Sequence, residues 1–324
     1  MAGNFGARKT ILHQSLPGDR FIRVATLYAS APNSPVGPKL SLEAVSLDST
    51  STRFNALSYA WHIAILPADQ INAGDEAELP DAEVFEIEVN GTALTVTQNL
   101  FDGLVQLAQT PRIDTTPLWI DALCINQGDK AERSSQVQLM GDIYSRATKV
   151  VIWLDSDDSE LAETKYLLDN FAPRMEIYWN SRLFDIARDR LLEPTIARKL
   201  GLSLSFDEWL SKWDGLARFM RRRRYFTRGW IVQEVMLSRD IALLCGSRQL
   251  PWEHLLKLCR FLFASGWHLE MAGRLMADKQ VFDRDRPPRK LGDELQKLAH
   301  IVMSIRKAGV QDPRTQRCCV WCPS

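Results

Sequence analysis

Apolar and polar positions alternate in short runs along the first third of the chain, and this pattern predicts β-strands rather than helices. Three such runs, rich in β-branched and aromatic residues, cover 21–28, 40–47 and 54–61. Two more, 85–89 and 94–96, flank Asn90-Gly91, a dipeptide typical of a tight hairpin turn. A helix-spaced apolar stripe then predicts a helix over 97–109.

The next segment has the pattern of a strand, a capped helix and a second strand. The apolar runs 118–121 and 149–154 predict buried strands, and a helix is expected between them over 130–146. Asp129 is a suitable N-cap, with Glu132 at the spacing of a capping box. The apolar face of this helix is predicted to comprise Val137, Met140, Ile143, Tyr144 and Ala147.

A crossover of this kind joins parallel strands, and ligands of parallel sheets bind beyond the carboxyl ends of the strands. Helical patterns dominate the second half, over 160–171, 181–192, 206–222, 228–238 and 252–263, with more helix expected to about 307 and a short strand at 241–245. The expected fold is therefore α/β, with a mainly parallel central sheet flanked by helices, helical insertions and a helical C-terminal extension.

Composition narrows the classes of function. The 324 residues carry 40 basic and 40 acidic side chains, which disfavours a nucleic-acid partner bound by bulk charge. No apolar run approaches the roughly 18–20 residues of a membrane helix. Scattered cysteines without a disulfide pattern favour a cytoplasmic protein. The histidines lack metal-ligand spacing, so no metal is expected, and the common nucleotide-binding and hydrolase motifs are missing from the sequence.

Three blocks carry a family resemblance: 54–61 (FNALSYAW), 118–127 (LWIDALCINQ) continuing to 150–154 (VVIWL), and 224–235 (RYFTRGWIVQEV). In these blocks the sequence resembles the fungal heterokaryon-incompatibility (HET) domain. The resemblance implies a role in non-self recognition and programmed cell death, signalling by assembly with further copies or with another incompatibility protein. It divides the chain into leading strands (1–53), the HET domain (54–245), a helical extension (246–310) and a tail (311–324).

HET domains in turn resemble TIR domains, which gives a TIR-like or flavodoxin-like outline. A Trp-Cys-x-x-Glu element supplies the catalytic Glu of the TIR domains that cleave NAD, and Trp230 and Glu234 keep that spacing here. The resemblance therefore implies Glu234 as a catalytic carboxylate and NAD as a substrate, with no bound cofactor. The residue types around Glu234, considered without the resemblance, leave another role open for it, as the buried ion-pair partner of Arg228 or Arg224.

Six further residues are candidates for holding such a nucleotide. Ser58, Tyr59 and Trp61 end one predicted strand, and Asp121, Asn126 and Gln127 follow the next. Structural roles compete with these assignments: core packing for the tryptophans, a backbone cap for Asp121 and a tight turn for Asn126. The four arginines 221–224 are expected to form a solvated helix end, with a contact to a phosphate or a partner protein near Glu234 as the alternative.

The tail poses a separate question. Asp312-Pro313-Arg314 begins a pattern that HET proteins continue, but the chain then becomes Cys-rich, with Cys318, Cys319 and Cys322. We hypothesise that a frameshift or a mis-spliced exon causes this break, so that a truncated, inactive remnant is a third hypothesis for the chain.

Overall fold

The computed structural model describes residues 13–29, 37–61, 64–65, 83–109, 116–158, 160–179, 195–228, 231–265 and 267. The chain divides into two compact units, one of residues 1–162 and 219–252, the other of residues 163–218 and 253–324. The predicted helix at 181–192, the helical pattern beyond 267 and the tail at 311–324 lie outside the described residues.

Within the described residues, one sheet of nine strands forms the first unit. The strands are β1 (Phe21–Leu27), β2 (Lys39–Ser46), β3 (Asn55–Tyr59), β4 (Val84–Val89), β5 (Thr92–Thr97), β6 (Leu118–Trp119), β7 (Val150–Trp153), β8 (Ile241–Cys245) and β9 (Arg248–Leu250). Their order is β5-β4-β2-β1-β6-β3-β7-β8-β9. All the predicted strands are present, and the strand at 241–245 has the expected bounds.

The α/β class is confirmed, but the expectation of a mainly parallel sheet is wrong, because the sheet is mixed. Its centre, β6-β3-β7-β8, is parallel. Around that centre β1 runs antiparallel to β6 and to β2, β5 to β4, and β9 to β8. Short connections join β4 to β5 and β8 to β9, whereas β1 and β6 are distant in sequence, and the outer strands β2 and β4 pair in parallel. The turn between β4 and β5 is one such connection, with Asn90 and Gly91 both at positive φ.

Helices cover the sheet and continue into the second unit. They are α1 (Gln98–Gln109), α2 (Asp121–Cys124), α3 (Lys130–Arg146), α4 (Leu161–Tyr166), α5 (Ala172–Trp179), α6 (Thr195–Lys199), α7 (Phe206–Arg222), α8 (Ile231–Met236) and α9 (Trp252–Ser265). A π-helical turn, Leu167–Phe171, joins α4 to α5, and a 3₁₀ turn, Arg224–Thr227, precedes α8. The helix predicted over 228–238 is therefore shorter than expected.

Helix α3 has the predicted bounds and cap, since the Asp129 carboxylate accepts the amides of Ala131 and Glu132. Its predicted apolar face is partly wrong. Val137 is 40% exposed, whereas the neighbouring Gln136 is buried and donates its amide to the Phe21 carbonyl at 3.0 Å. A buried amide with a backbone partner replaces the expected aliphatic contact, which periodicity alone does not reveal.

In the second unit an aromatic cluster forms the core. Its neighbouring ring centroids lie 4.7–6.3 Å apart, mostly edge to face, the favoured arrangement of aromatic pairs. The members are Phe171, Trp209, Trp213, Phe261 and Trp267.

Two helical glycines give matched tests of packing in the first unit. A Cβ on Gly103 would lie 2.9 Å from the buried Trp153 indole, whereas one on Gly141 would meet only Leu237 at 3.6 Å. We expect Gly103→Ala to lower the free energy of unfolding by about 1–3 kcal/mol through overpacking. Gly141→Ala should raise it by about 0.5–1 kcal/mol through helix propensity. Urea unfolding of both variants checks this, and equal effects would contradict the Trp153 contact.

Candidate functional site

The candidate site lies at the carboxyl ends of the parallel strands. Strand β3 has β6 on one side and β7 on the other, so the chain connects it to neighbours in opposite directions. Crevices form beyond strand ends at such a point. Ser58 and Tyr59 end β3, and Asp121 follows β6, as the sequence predicts.

Glu234 lies in a buried cluster with two polar partners, Ser58 and Arg228, and with Tyr225 bonded to Ser58. Its side chain is 1% exposed, and its Oε2 accepts the Ser58 hydroxyl. The Ser58 Oγ also hydrogen-bonds the Tyr225 hydroxyl at 2.9 Å. On the other side, Arg228 Nη2 lies 3.2 Å from Glu234 Oε1, so the ion pair expected from the sequence is confirmed with Arg228 as the partner. Each carboxylate oxygen therefore has a partner.

Electrostatics keep the tyrosines around this carboxylate neutral. Burial, and then the charge of Glu234, raise the pKa values of Tyr225 and Tyr144 above their usual value. Burial alone would lower the pKa of Arg228, but Glu234 and the nearby tyrosines and Asp121 outweigh it, so that pKa is raised. The cluster thus joins a carboxylate and a guanidinium with neutral hydroxyls.

Asp121 forms a second polar centre, which is coupled to the first. Its carboxylate accepts the Trp61 indole N–H and the Ala122 amide, both at 2.7 Å, so it also serves as the expected backbone cap. Burial, and then the charge of Asp121, raise the pKa of Tyr59. Burial raises the pKa of Asp121 to about 6, and Arg228 and Glu234 act on that pKa in opposite directions.

Asn126 and Gln127 hold the loop after α2. The Asn126 side chain accepts the Gly128 amide at 3.2 Å, which confirms its tight-turn role. Gln127 Nε2 donates to the Asp121 carbonyl at 3.0 Å. Glu132 Oε1 accepts the Asn126 amide at 2.7 Å, and the same carboxylate pairs with buried Arg23. This loop is therefore tied to both β1 and α3.

An open cleft of about 430 Å³ borders this loop and the end of β3. Tyr59, Trp61 and Gln127 line it, whereas Ser58, Asp121, Asn126 and Glu234 do not. Trp61 is the partly exposed tryptophan, while Trp119 and Trp153 are core residues as their alternative role predicts. The candidate residues are therefore divided between a buried cluster around Glu234 and a cleft beside it. Trp230, named with Glu234 in the sequence, lies outside the described residues.

The sequence reasoning did not foresee that Arg223 pairs with Asp155, and it was wrong to expect a solvated arginine at position 223. Arg223 is buried, with its Nε 2.7 Å from Asp155 Oδ2 and its guanidinium over the Phe219 ring. It is no solvated helix end, because it joins the end of α7 to the end of β7. Asp155 follows a predicted buried strand directly, and this acidic residue was the signal in the sequence that could have indicated a buried basic partner. Tyr225 was also missed, although it lies within one of the family blocks.

Neither a metal centre nor a membrane-spanning helix is found among the described residues. No group of acidic, His and Cys side chains there could hold a metal ion. Likewise, the helices of the described part are too short or too polar to cross a bilayer.

Fold and site together define an α/β domain with a buried, ion-paired glutamate beside the carboxyl ends of parallel strands. The family model "Heterokaryon incompatibility protein (HET)" matches residues 54–234, more than half of the chain, so the chain belongs to the HET family. The chain is also 32% identical, over 206 residues, to Heterokaryon incompatibility protein 6, OR allele, of Neurospora crassa. That alignment covers 59% of this chain and 28% of the relative. No solved structure matches the chain.

Asp121 gives this site a pH dependence. Because its pKa is higher in the folded protein than its usual value of 3.8, the unfolded chain ionises first as pH rises. The contribution of Asp121 to the free energy of unfolding should therefore fall between about pH 4 and pH 6. Asp155, whose pKa burial also raises to about 6, acts in the same direction. We expect Asp121→Asn to flatten this part of the stability profile, measured as Tm against pH.

Asp129→Asn is the matched control, because asparagine is an equally good N-cap. It should leave the slope between pH 4 and pH 6 unchanged. An Asp121→Asn profile parallel to that of the wild type would contradict the assignment.

Proposed function

We propose that this chain is a cytoplasmic effector of fungal non-self recognition that triggers programmed cell death by self-assembly. Membership of the HET family carries this proposal, supported by the relative named as an incompatibility protein. The matched region contains the whole cluster around Glu234 as well as the cleft residues Tyr59, Trp61 and Gln127. The chain spans 28% of that relative, so the role of the relative is extended to it here only as a proposal.

An exposed apolar pair supports assembly. Val137 on α3 and Leu237 just after α8 are each 40% exposed. They belong to one surface, because α3 and α8 are in contact and Leu237 lies against Gly141 of α3. Apolar side chains that a monomer exposes to water are stabilised when a second copy of the chain covers them, because their apolar surface is removed from water. This surface borders α8, whose inner face carries Glu234.

Expression in a fungal host tests the effector role. We expect the wild type to arrest growth and to elute from a sizing column above the monomer mass. The double variant Val137→Lys/Leu237→Lys should be monomeric and should lose growth arrest, because two charges would have to be desolvated in the assembly. Val84→Lys is the control, since Val84 is an exposed apolar residue on β4 and should tolerate the change.

Two outcomes would count against the proposal. Growth arrest by a monomeric double variant would exclude assembly as the trigger. If the wild type caused no arrest at all, the chain would be the inactive remnant.

A second candidate function is NAD cleavage with Glu234 as the essential carboxylate, and the buried cluster favours it. In this reaction the bond between ribose C1′ and the nicotinamide nitrogen breaks, and its electrons leave with the ring. Nicotinamide departs neutral, so no general acid is needed, and water attacks C1′ to give ADP-ribose and a proton. A carboxylate stabilises the oxocarbenium-like transition state, as in glycoside hydrolysis. Because Glu234 is buried, cleavage of NAD requires the cluster around Glu234 to open. We expect assembly at the neighbouring surface of Val137 and Leu237 to cause this opening.

An assay of nicotinamide release from NAD tests this second candidate. We expect activity that rises with protein concentration and falls about 10²–10³-fold in Glu234→Gln. Glutamine keeps an acceptor for Ser58, so Tm should confirm that the variant is folded. Glu43→Gln, at an exposed position of β2, is the control and should retain activity. Equal release by wild type and Glu234→Gln would exclude catalysis by Glu234.

A further inference from the structure

We propose that the outer edge of β5 is a second self-assembly surface, at which the β5 strands of two copies pair antiparallel about a twofold axis through Thr95. This inference rests on the proposed assembly for its biological purpose and adds an interface on different elements from the surface of Val137 and Leu237. Three features of the strand support it: the backbone groups that it presents, its uncharged sequence, and the contrast with the opposite edge of the sheet.

Strand β5 ends the sheet on one side and pairs with β4 alone. Just beyond the two strands, the amide of Gln98 donates to the Glu83 carbonyl at 2.9 Å. Bonded and open positions alternate along an antiparallel pair, so the backbone groups of Ala93, Thr95 and Thr97 point away from β4. Within the described part of the chain, no hydrogen bond reaches these outward groups.

The sequence of β5 does nothing to discourage pairing. Its six residues, Thr-Ala-Leu-Thr-Val-Thr, include no charged side chain, proline or glycine. The strand is as long as β4 and pairs with it over all six residues without a bulge. Soluble proteins usually protect an edge strand with charge, proline, a bulge or short length, and an edge without them is a template for another strand.

The opposite edge of the sheet, β9, is protected in these usual ways. It is three residues long, and Pro251 follows it directly. Its exposed Arg248 lies 3.7 Å from Asp158, so a charge is held beside the strand. A chain pairing with β9 would gain few hydrogen bonds and would have to desolvate that charge. Of the two edges, β5 is therefore the one suited to pairing.

A second copy of the chain fits β5 as the partner. With the axis at Thr95, that residue faces itself, and Ala93 faces Thr97 of the second copy. All the outward groups then bond, which gives about six backbone hydrogen bonds. Facing threonines are favourable cross-strand neighbours, and no like charges meet. The exposed Glu86 of β4 lies one strand further in, so its two copies would be about 14 Å apart, beyond the Debye length of about 8–10 Å.

Open space and an apolar contact lie beside this edge. Four consecutive residues of β5, 94–97, line the open cleft. Because consecutive side chains of a strand point to opposite faces, β5 borders the cleft with its edge. In the proposed register Leu94 faces Val96 of the second copy, and pairing covers Leu94, which is half-buried in the single chain.

Cysteine cross-linking of the full chain, followed on a non-reducing gel, tests the register. We expect Thr95→Cys to form a disulfide-linked dimer, because facing Cα atoms about 5.5 Å apart allow a disulfide. A mixture of Ala93→Cys and Thr97→Cys should link, whereas each alone should not, since its two copies are offset by about 13 Å along the strands. Glu43→Cys, at an exposed position of β2, is the matched control, and the wild type gives the background from its own cysteines.

A charge at the axis tests the effect on assembly. Thr95→Lys should remain folded, because Thr95 is exposed, and should elute as a smaller assembly than the wild type, because like charges would face each other. Ala44→Lys, at an exposed position of β2, should elute as the wild type does. A lone strand pair is marginally stable in water. Val137→Lys/Leu237→Lys should therefore elute as a monomer, yet Thr95→Cys added to it should still cross-link.

The outcomes separate this interface from the function it serves. If the wild type arrests growth but Thr95→Cys cross-links no more than Glu43→Cys, the edge contact is wrong and the effector proposal stands. Cross-linking in the proposed register, in a chain that causes no growth arrest, supports the edge contact and removes the effector proposal. If Thr95→Cys in the fungal host links to another polypeptide and not to itself, a second copy is the wrong partner. Linking of Ala93→Cys to itself would overturn the register.

Discussion

The buried pair between Glu234 and Arg228 is the constraint on which the arrangement of the site depends. A carboxylate that is 1% exposed must keep its partners, because removing one of them typically costs about 3–5 kcal/mol. Ser58 supplies one contact from the end of β3 and Arg228 the other from the segment before α8. The Ser58 contact therefore fixes α8 against the sheet, the ion pair holds the segment before α8 to that helix, and α3 packs against α8.

Two more ion pairs follow the same logic at neighbouring strand ends. Arg223 and Asp155 join the end of α7 to the end of β7, and Arg23 and Glu132 join β1 to α3. Each pair is assisted by backbone groups, such as the Asp157 carbonyl that accepts from Arg223 and the Cys124 carbonyl that accepts from Arg23. Such hydrogen bonds offset part of the free-energy cost of burying these charges. The buried ion pairs lie where loops meet the sheet, whereas the strands β3 and β7 themselves are fully buried.

Local signals were sufficient to predict much of the fold. Helix α3 and its Asp129 cap, helix α7 and the Asn90-Gly91 hairpin all follow from periodicity, capping and turn chemistry. Strand partners could not be predicted in this way, because the pairing of β1 with β6 is set by long-range packing and leaves no local pattern. The arginine run shows the same limit. Its composition is typical of a solvated helix end, yet the burial of Arg223 depends on Asp155, which is distant in sequence.

The candidate site was predicted as one set of residues, and its division into two has a physical cause. Consecutive residues of a strand point to opposite faces, and Ser58 and Tyr59 accordingly have different partners. Ser58 contacts Glu234, while Tyr59 lies within the electrostatic influence of Asp121 and lines the cleft. Asp121 connects the two parts, because it holds Trp61 at the cleft and interacts electrostatically with Arg228 and Glu234.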